Sequence, residues 1–307
     1  MERVLSLITQ RPAKVLLFFS LIVAAACAAL AYAYFVEPNR LVVVESTIRI
    51  KNWNPAFSGL RIGMIGDLHG GSNNVTEEKI REVVALTNQQ DVDLIVFLGD
   101  FVSQRHVEGA IKDRPLNMPV ETIAANLTGL RAKYGVYAVL GNHDGWYDEA
   151  NVSSELKRAG LTVLENQVAI IEKDGARLRL FGMKDHLSLT GGWLATSAES
   201  KRILSGAGSG DVVVLQHSPD ILPVIAGDYL ISPDLRLILA AHTHGGQVYL
   251  PVLGTPIVPS GYGQKYAHGH IKDKDVDMFI TSGIGTSVLP IRFMVPPEIA
   301  VVTILSQ

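Results

Sequence analysis

The sequence predicts an α/β domain carried on one N-terminal apolar segment, and three observations predict it. Five short, β-branched apolar runs each stop at a metal-binding type of side chain. Stretches with helical spacing alternate with those runs. The 22 residues from Val15 to Val36 carry no charge.

The N-terminal segment is long enough to cross a hydrocarbon core of about 30 Å as a helix. Arg3, Arg11 and Lys14 precede it and Glu37-Pro38-Asn39-Arg40 follows. The chain therefore divides into a basic tail (1–14), a transmembrane anchor (15–36), a juxtamembrane segment with a first strand (37–58) and the main domain (59–307). A cleaved signal peptide is the other reading, because Ala31-Tyr32-Ala33 has small residues suited to a peptidase. The anchor is preferred because the apolar run exceeds a usual signal core and continues through Tyr34-Phe35-Val36. Arg11 and Lys14 abut the span while Arg40 stands alone beyond it, which puts the tail in the cytoplasm and the domain on the non-cytoplasmic face. Cys27, the only cysteine, reads as an inert residue of the span, and no intrachain disulfide can form.

Beyond the span, residues 41–51 alternate apolar and polar side chains as a strand does, and Asn52-Trp53-Asn54-Pro55 breaks the run. The five motif runs come next. Arg61-Ile62-Gly63-Met64-Ile65 leads to Asp67 and His69, and Leu94-Ile95-Val96-Phe97-Leu98 leads to Asp100. Val136-Tyr137-Ala138-Val139-Leu140 leads to Gly141-Asn142-His143-Asp144. Val212-Val213-Val214-Leu215 leads to His217, and Leu235-Arg236-Leu237-Ile238-Leu239 leads to His242 and His244. Short apolar runs bounded by turn residues read as buried strands, and open α/β sheets gather ligands at the carboxyl ends of their strands. Between them, residues 75–89, 118–133 and 147–159 show helical spacing. Residues 163–180 read as strands around Lys173-Asp174-Gly175, and two strand-like runs, 278–281 and 299–304, close the domain. No linker interrupts it.

The donor types narrow the chemistry. Asp67, His69, Asp100, Asn142, His217, His242 and His244 mix imidazole nitrogen with carboxylate and amide oxygen. That mixture suits Mn2+, Fe2+/3+ or Zn2+ better than Mg2+ or Ca2+, which prefer oxygen alone. Seven ligands exceed one tetrahedral ion and match two octahedral ions sharing a carboxylate, for which Asp100 is the natural bridge. Two such ions can acidify a shared water and clamp both oxygens of an in-line displacement at phosphorus. The chain is mildly acidic overall, and the part beyond the basic tail is more so. With no Lys/Arg cluster in the domain, nucleic acid is not an expected partner.

The ordered set Asp67-x-His69, Gly99-Asp100, Gly141-Asn142-His143-Asp144, His217, His242-x-His244 resembles the calcineurin-like metallophosphoesterase superfamily from Gly59 to the C-terminus. Three stretches (134–144, Gln216 to Asp220, and His242 to Gln247 running on to Leu289-Pro290-Ile291-Arg292-Phe293) look closest to its membrane-associated bacterial branch. That branch includes UDP-2,3-diacylglucosamine pyrophosphatase-type enzymes. The resemblance implies a four-layer sandwich, two mixed β-sheets flanked by helices. It implies one ion on Asp67, His69, Asp100 and His244, and a second on Asp100, Asn142, His217 and His242. His143 would contact the phosphate and stabilise or protonate the leaving oxygen. The implied reaction is cleavage of a phosphodiester or pyrophosphate, lipid-linked if the anchor holds the site near a bilayer, with metal-bound hydroxide. A non-catalytic protein-binding module on the same fold is the rival; missing ligands would be its signature, and none is missing. Two departures stand out. Many relatives orient the catalytic histidine with a carboxylate three residues after the bridging aspartate; here Ser103 stands there, and Asp144 is the substitute to hand. Relatives usually carry Gly before His-x-His, whereas Ala241 adds a methyl expected only to tighten packing.

Other residues of the same types read more plainly. His268, His270, His106 and His186 are expected in solvated loops, and Asp185 in a turn or along the cleft. Trp193 with Leu187, Leu189 and Leu194 suggests an apolar loop near the cleft that packs or meets lipid.

Overall fold

The computed structural model describes residues 2–105, 107–189 and 192–307, without the side chains of residues 2–13 and Ser188. His106 lies outside the described residues. The first element, α1 (Glu2–Ala31), runs without a break into a single π turn, Tyr32–Val36, and a 3-10 turn, Glu37–Asn39. Residues Lys14–Asn39 of this rod are long and apolar enough to cross a membrane.

The domain follows as two six-stranded sheets. The first is built from β1 (Val42–Ile50), β2 (Leu60–Ile65), β3 (Leu94–Leu98), β4 (Val136–Val139), the two-residue β5 (Thr162–Val163) and, from the far end of the chain, β12 (Glu298–Ser306). Their order is β1-β12-β2-β3-β4-β5. The second contains β6 (Gln167–Lys173), β7 (Ala176–Gly182), β8 (Asp211–Leu215), β9 (Leu235–Ala240), β10 (Gly269–Asp273) and β11 (Val276–Ile280), ordered β10-β11-β9-β8-β7-β6. Both are mixed. β2 to β5 are parallel and β12 runs antiparallel to β2; β7, β8, β9 and β11 are parallel between antiparallel edges β6 and β10.

Burial explains the continuous apolar runs: β3 and β8 are covered on both faces, so every residue in them is buried. One core lies between the sheets, joining Met64, Val96 and Leu98 to Leu180, Val213 and Leu239. A second packs α2 (Glu77–Asn88), α3 (Val120–Asn126) and α4 (Asn142–Arg158) on the outside of the first sheet, through Ile80, Val83, Ile123, Val152 and Leu156. A third covers the second sheet, with Leu204 of α5 (Gly192–Gly206) against Val212 and Val214. Helix, sheet, sheet and helix make the four layers.

Three boundaries differ from the sequence reading. The helix expected over 118–133 ends at Asn126, where Leu127 caps it and Thr128-Gly129 turns the chain away. The helix expected from Tyr147 begins at Asn142 and is interrupted only at Asp148. His270 sits on edge strand β10 rather than in a loop, with Nε2 2.7 Å from Asp277 Oδ1 across the hairpin. His268 is exposed just before that strand.

Candidate metal centre

Five short connections, all leaving the carboxyl ends of parallel strands, build the site. Asp67 and His69 follow β2, Asp100 follows β3, His217 follows β8, and His242 and His244 follow β9. After β4, Leu140-Gly141 passes directly into the first turn of α4, which carries Asn142 and His143. The connections are stitched across the first sheet: Asp67 N–H donates to Gly99 O at 3.0 Å and His69 N–H to Asp100 O at 2.9 Å. They turn sharply. Asp67, His69, Asp100, His242 and His244 all have φ between 46° and 72°. Non-glycine residues avoid this left-handed region, and such strain gathers at functional sites. Glycine is required where the backbone crowds the ligands. A Cβ on Gly141 would meet Asp100 Oδ1 at 2.2 Å, and one on Gly99 would meet Gly141 N at 2.5 Å.

All seven residues read as ligands converge between the two sheets. His69 Nε2 lies 3.2 Å from His244 Nε2 and 3.5 Å from Asp100 Oδ2. His217 Nε2 lies 3.3 Å from the same Oδ2, 3.1 Å from Asn142 Oδ1 and 3.0 Å from His242 Nδ1. Asp67 Oδ1 is 3.9 Å from His244 Nε2. Three overlapping clusters result, each with its donor atoms within 4.8 Å of one another: Asp67, His69 and His244; Asp100, His217 and His242; and His69, Asp100 and His143. Donors about 2.1 Å from one ion stand roughly 3.0–3.4 Å apart in octahedral or tetrahedral geometry. The observed separations fall mostly in that range, so the donor set fits divalent cations.

The imidazoles are held in the tautomer that cations need. His69, His217 and His244 each direct Nδ1 to a backbone carbonyl: Val102 O at 3.2 Å, Leu98 O at 2.7 Å and Gly285 O at 3.3 Å. With the proton on Nδ1, the Nε2 lone pair is left for the site. Burial drives the pKa of His69 down to about 3 and of His242 down to about 4, with His244 also well below its usual value. All three are neutral donors. His217 differs. Burial opposes its protonation, but Asp100, and Asp67 beyond it, hold its pKa up at about 10. A divalent cation would compete with that proton for the same lone pair. Burial likewise opposes ionisation of Asp100, yet His217, His143 and His69 keep its carboxyl well below the usual range. Asp67 is pushed up to about 7 by burial, although both its oxygens accept the His242 N–H.

His143 is placed differently. Its N–H donates to Asp100 Oδ1 at 2.9 Å, while its ring stands edge-on to His69 and leans on Trp146. Its Nδ1 is buried without a hydrogen-bond partner among the described residues. Asp144, the expected substitute for the missing carboxylate, does not orient it. Asp144 Oδ2 accepts the N–H groups of Asp100 and Gly141, and Oδ1 those of Phe101 and Val102. It moulds the backbone beneath Asp100. Ser103 Oγ donates to Gly70 O and accepts from Asn117, away from the histidine. Ala241 is fully buried, and its methyl lies against Gly66, where an added Cβ would meet it at 2.5 Å.

The sequence reading gave Arg292 no role in the site. It is fully buried, and its guanidinium donates to the carbonyls of Ser282, Gly283, Gly285 and Val295. Burial lowers its pKa to about 10. Gly285 O accepts from both Arg292 and His244 Nδ1, so the arginine fixes the carbonyl that orients a candidate ligand. One sequence feature could have found it: Arg292 is the only charged residue between Asp277 and Glu298. Of the residues set aside, Asp185 caps the turn His186–Ser188, and His186 stacks on Trp193. Leu187 and Leu194 are exposed beside them.

Comparison with known proteins agrees with this geometry. A model of the calcineurin-like phosphoesterase family matches residues 60–246, which hold every candidate ligand. The chain is similar to the uncharacterized metallophosphoesterase YkuE of Bacillus subtilis, 31% identical over 90% of this chain and 89% of that protein. It is similar to the phosphodiesterase YaeI of Escherichia coli, 27% identical over 89% of this chain and 92% of the relative. It is also similar to a Danio rerio transmembrane protein with metallophosphoesterase domain, 24% identical over 91% of this chain but only 60% of the relative. The chain belongs to the calcineurin-like phosphoesterase family and is a hydrolase of phosphoester bonds.

Proposed function

We propose that the chain is a membrane-anchored, dinuclear metal-dependent phosphohydrolase that cleaves a phosphodiester or pyrophosphate, lipid-linked in its natural form. The observation that carries this reading is the convergence of seven buried or nearly buried donors from five connections on two sheets. Asp67, His69, Asp100 and His244 would hold one divalent ion and Asp100, Asn142, His217 and His242 the other. The mixed nitrogen and oxygen donors favour Mn2+, Fe2+/3+ or Zn2+. When bound, such ions supply Lewis-acid polarisation of a phosphoryl oxygen and acidify water. The protein's part is to orient. Asp100, which keeps its charge, would be shared by both ions, and the Nδ1–carbonyl bonds aim three imidazoles. His143, with its unpartnered ring nitrogen, donates to or protonates the leaving oxygen.

Residues 15–36 would anchor the domain of residues 59–307, with 37–58 joining the two. Support comes from the apolar rod of α1, whose side chains beyond Lys14 are largely exposed, and from the Danio rerio relative's description as a transmembrane protein. Arg11 and Lys14 favour a non-cytoplasmic domain. The name of YaeI favours a diester over a monoester. Because Ala33, Glu37 and Pro38 are buried against the domain, the test uses the full chain in detergent. Bis-p-nitrophenyl phosphate and p-nitrophenyl phosphate are offered with Mn2+, before and after EDTA. The expected outcome is EDTA-sensitive turnover, faster on the diester. No such turnover, together with no bound metal by elemental analysis, would reassign the domain to a non-catalytic binding role.

A further inference from the structure

The anchor does not hang from the domain by a tether. Arg292 N–H donates to Ala33 O at 3.0 Å, and the Phe293 ring meets Tyr32 edge-on at 6.3 Å. Asn73 Nδ2 bonds both Tyr34 O (3.1 Å) and Pro290 O (2.7 Å). The last turn of the apolar rod is therefore fastened to the segment 288–294. That segment is fastened in turn to a second loop: Tyr249 N–H donates to Phe293 O, and Gln247 Nε2 donates to Leu289 O and Ile291 O.

These two loops have an unusual surface. Residues 245–264 contain no Asp, Glu, Lys or Arg, and the lone charge near the second loop, Arg292, is buried. Val252 is 102% exposed and Val288 84%, with Leu253, Ile257, Leu289 and Met294 exposed around them. Val252 and Val288 both have positive φ, 78° and 63°, a conformation that β-branched residues shun. The first tip is clamped by reciprocal bonds between Leu250 and Gly254, so its apolar side chains are presented by a closed hairpin. Soluble surfaces rarely gather apolar side chains this way unless something covers them.

The geometry points to the occupant: we infer that residues 249–257 and 288–294 form an apolar apron that beds into the same bilayer surface from which the anchor emerges. This rests on the anchor reading given above. The reason is continuity. Tyr34, Phe35 and Val36, still exposed at the end of the apolar rod, belong to the turn that holds the second loop. Tyr32 and Tyr34 stand where membrane spans place interfacial aromatics. A membrane that reaches Val36 thus reaches the apron. Both loops also spring from the candidate metal centre. Gln247 lies three residues after His244, and Gly285, which accepts from His244, begins the run to Val288. A phosphoester carried on a lipid would reach the centre without leaving the surface.

The test uses the full chain in phosphatidylethanolamine and phosphatidylglycerol vesicles containing lipids brominated at chosen depths. Native Cys27 is labelled with an environment-sensitive fluorophore in one sample. In a Cys27→Ser background, Val252→Cys, Val288→Cys and Glu172→Cys are labelled singly. Glu172 is exposed beside the β6–β7 turn, at the sheet edge opposite the metal centre. The expected result is strong quenching at Cys27 by deep bromines, strong quenching at residues 252 and 288 by shallow ones, and none at 172. Quenching at Cys27 without quenching at 252 and 288 overturns the apron and leaves the anchor standing. Lipid-independent shielding of 252 and 288 that rises with protein concentration would assign the patch to a second copy and equally overturn it. Absence of quenching at Cys27 removes the anchor and the apron together.

Discussion

The two sheets contribute unequally to the centre. Connections of the first sheet supply every oxygen donor, Asp67, Asp100 and Asn142, together with His69 and His143. Connections of the second supply imidazoles alone: His217, His242 and His244. The first side carries the negative charge that calls for a cation; on the second, burial keeps His242 and His244 neutral, while Asp100 holds a proton on His217. The same side chains also close the seam. His217 donates across it to Leu98 O at the end of β3, and His242 N–H crosses to Asp67. Offering donors to cations and holding two sheets in register thus fall to one set of residues.

That contrast makes the effects of substitution unequal. Asp100→Asn removes the charge common to two of the three clusters while keeping the shape. Turnover should fall at least about 10^3-fold, as expected when several kcal/mol of charge stabilisation are lost, and elemental analysis should find the bound metal gone. His143→Ala, on the same side but outside the ligand set, should cost about 10^2–10^4-fold in turnover. Its metal content should stay that of the parent; joint loss would make His143 a ligand and redraw the division. Arg292→Lys probes support for the imidazole side. A single ammonium cannot serve the carbonyls that the guanidinium holds, so His244 should be less well aimed. Metal affinity should weaken about 10–100-fold, the usual cost of removing a partner behind a ligand, read by competition with a chelator. The smallest effect belongs to Ala241→Gly. Turnover should stay within about twofold, and stability should drop by about 1 kcal/mol from the lost buried methyl and the looser backbone; denaturant titration with parallel kinetics checks both.

The centre was legible wherever chemistry and chain geometry coincided. Asp67, Asp100, His217 and His242 follow continuous apolar runs closely, because a strand buried on both faces must be apolar and ends where the candidate ligand begins. Where local pattern and tertiary context parted, legibility failed. Asn142 to Gly145 are polar and end in glycine, so the first turn of α4 shows no apolar periodicity; its place is set by Asp144 gathering the N–H groups around Asp100. Leu127 and Leu130 continue a helical spacing that Gly129, at φ 90°, interrupts. β10 is an edge strand with Lys272 and Asp273, polar enough to pass for a loop. The left-handed backbones of five site residues were invisible, since none of the five is glycine.

The central claim is that side chains from both sheets hold two cations on a shared Asp100. The direct measurement is anomalous diffraction from crystals of the full chain grown with Mn2+, paired with elemental analysis of the same preparation. Two anomalous peaks are predicted, one against Asp67, His69 and His244 and one against Asn142, His217 and His242, both within bonding distance of Asp100. A folded chain with a single peak, or with none near Asp100, would contradict the account.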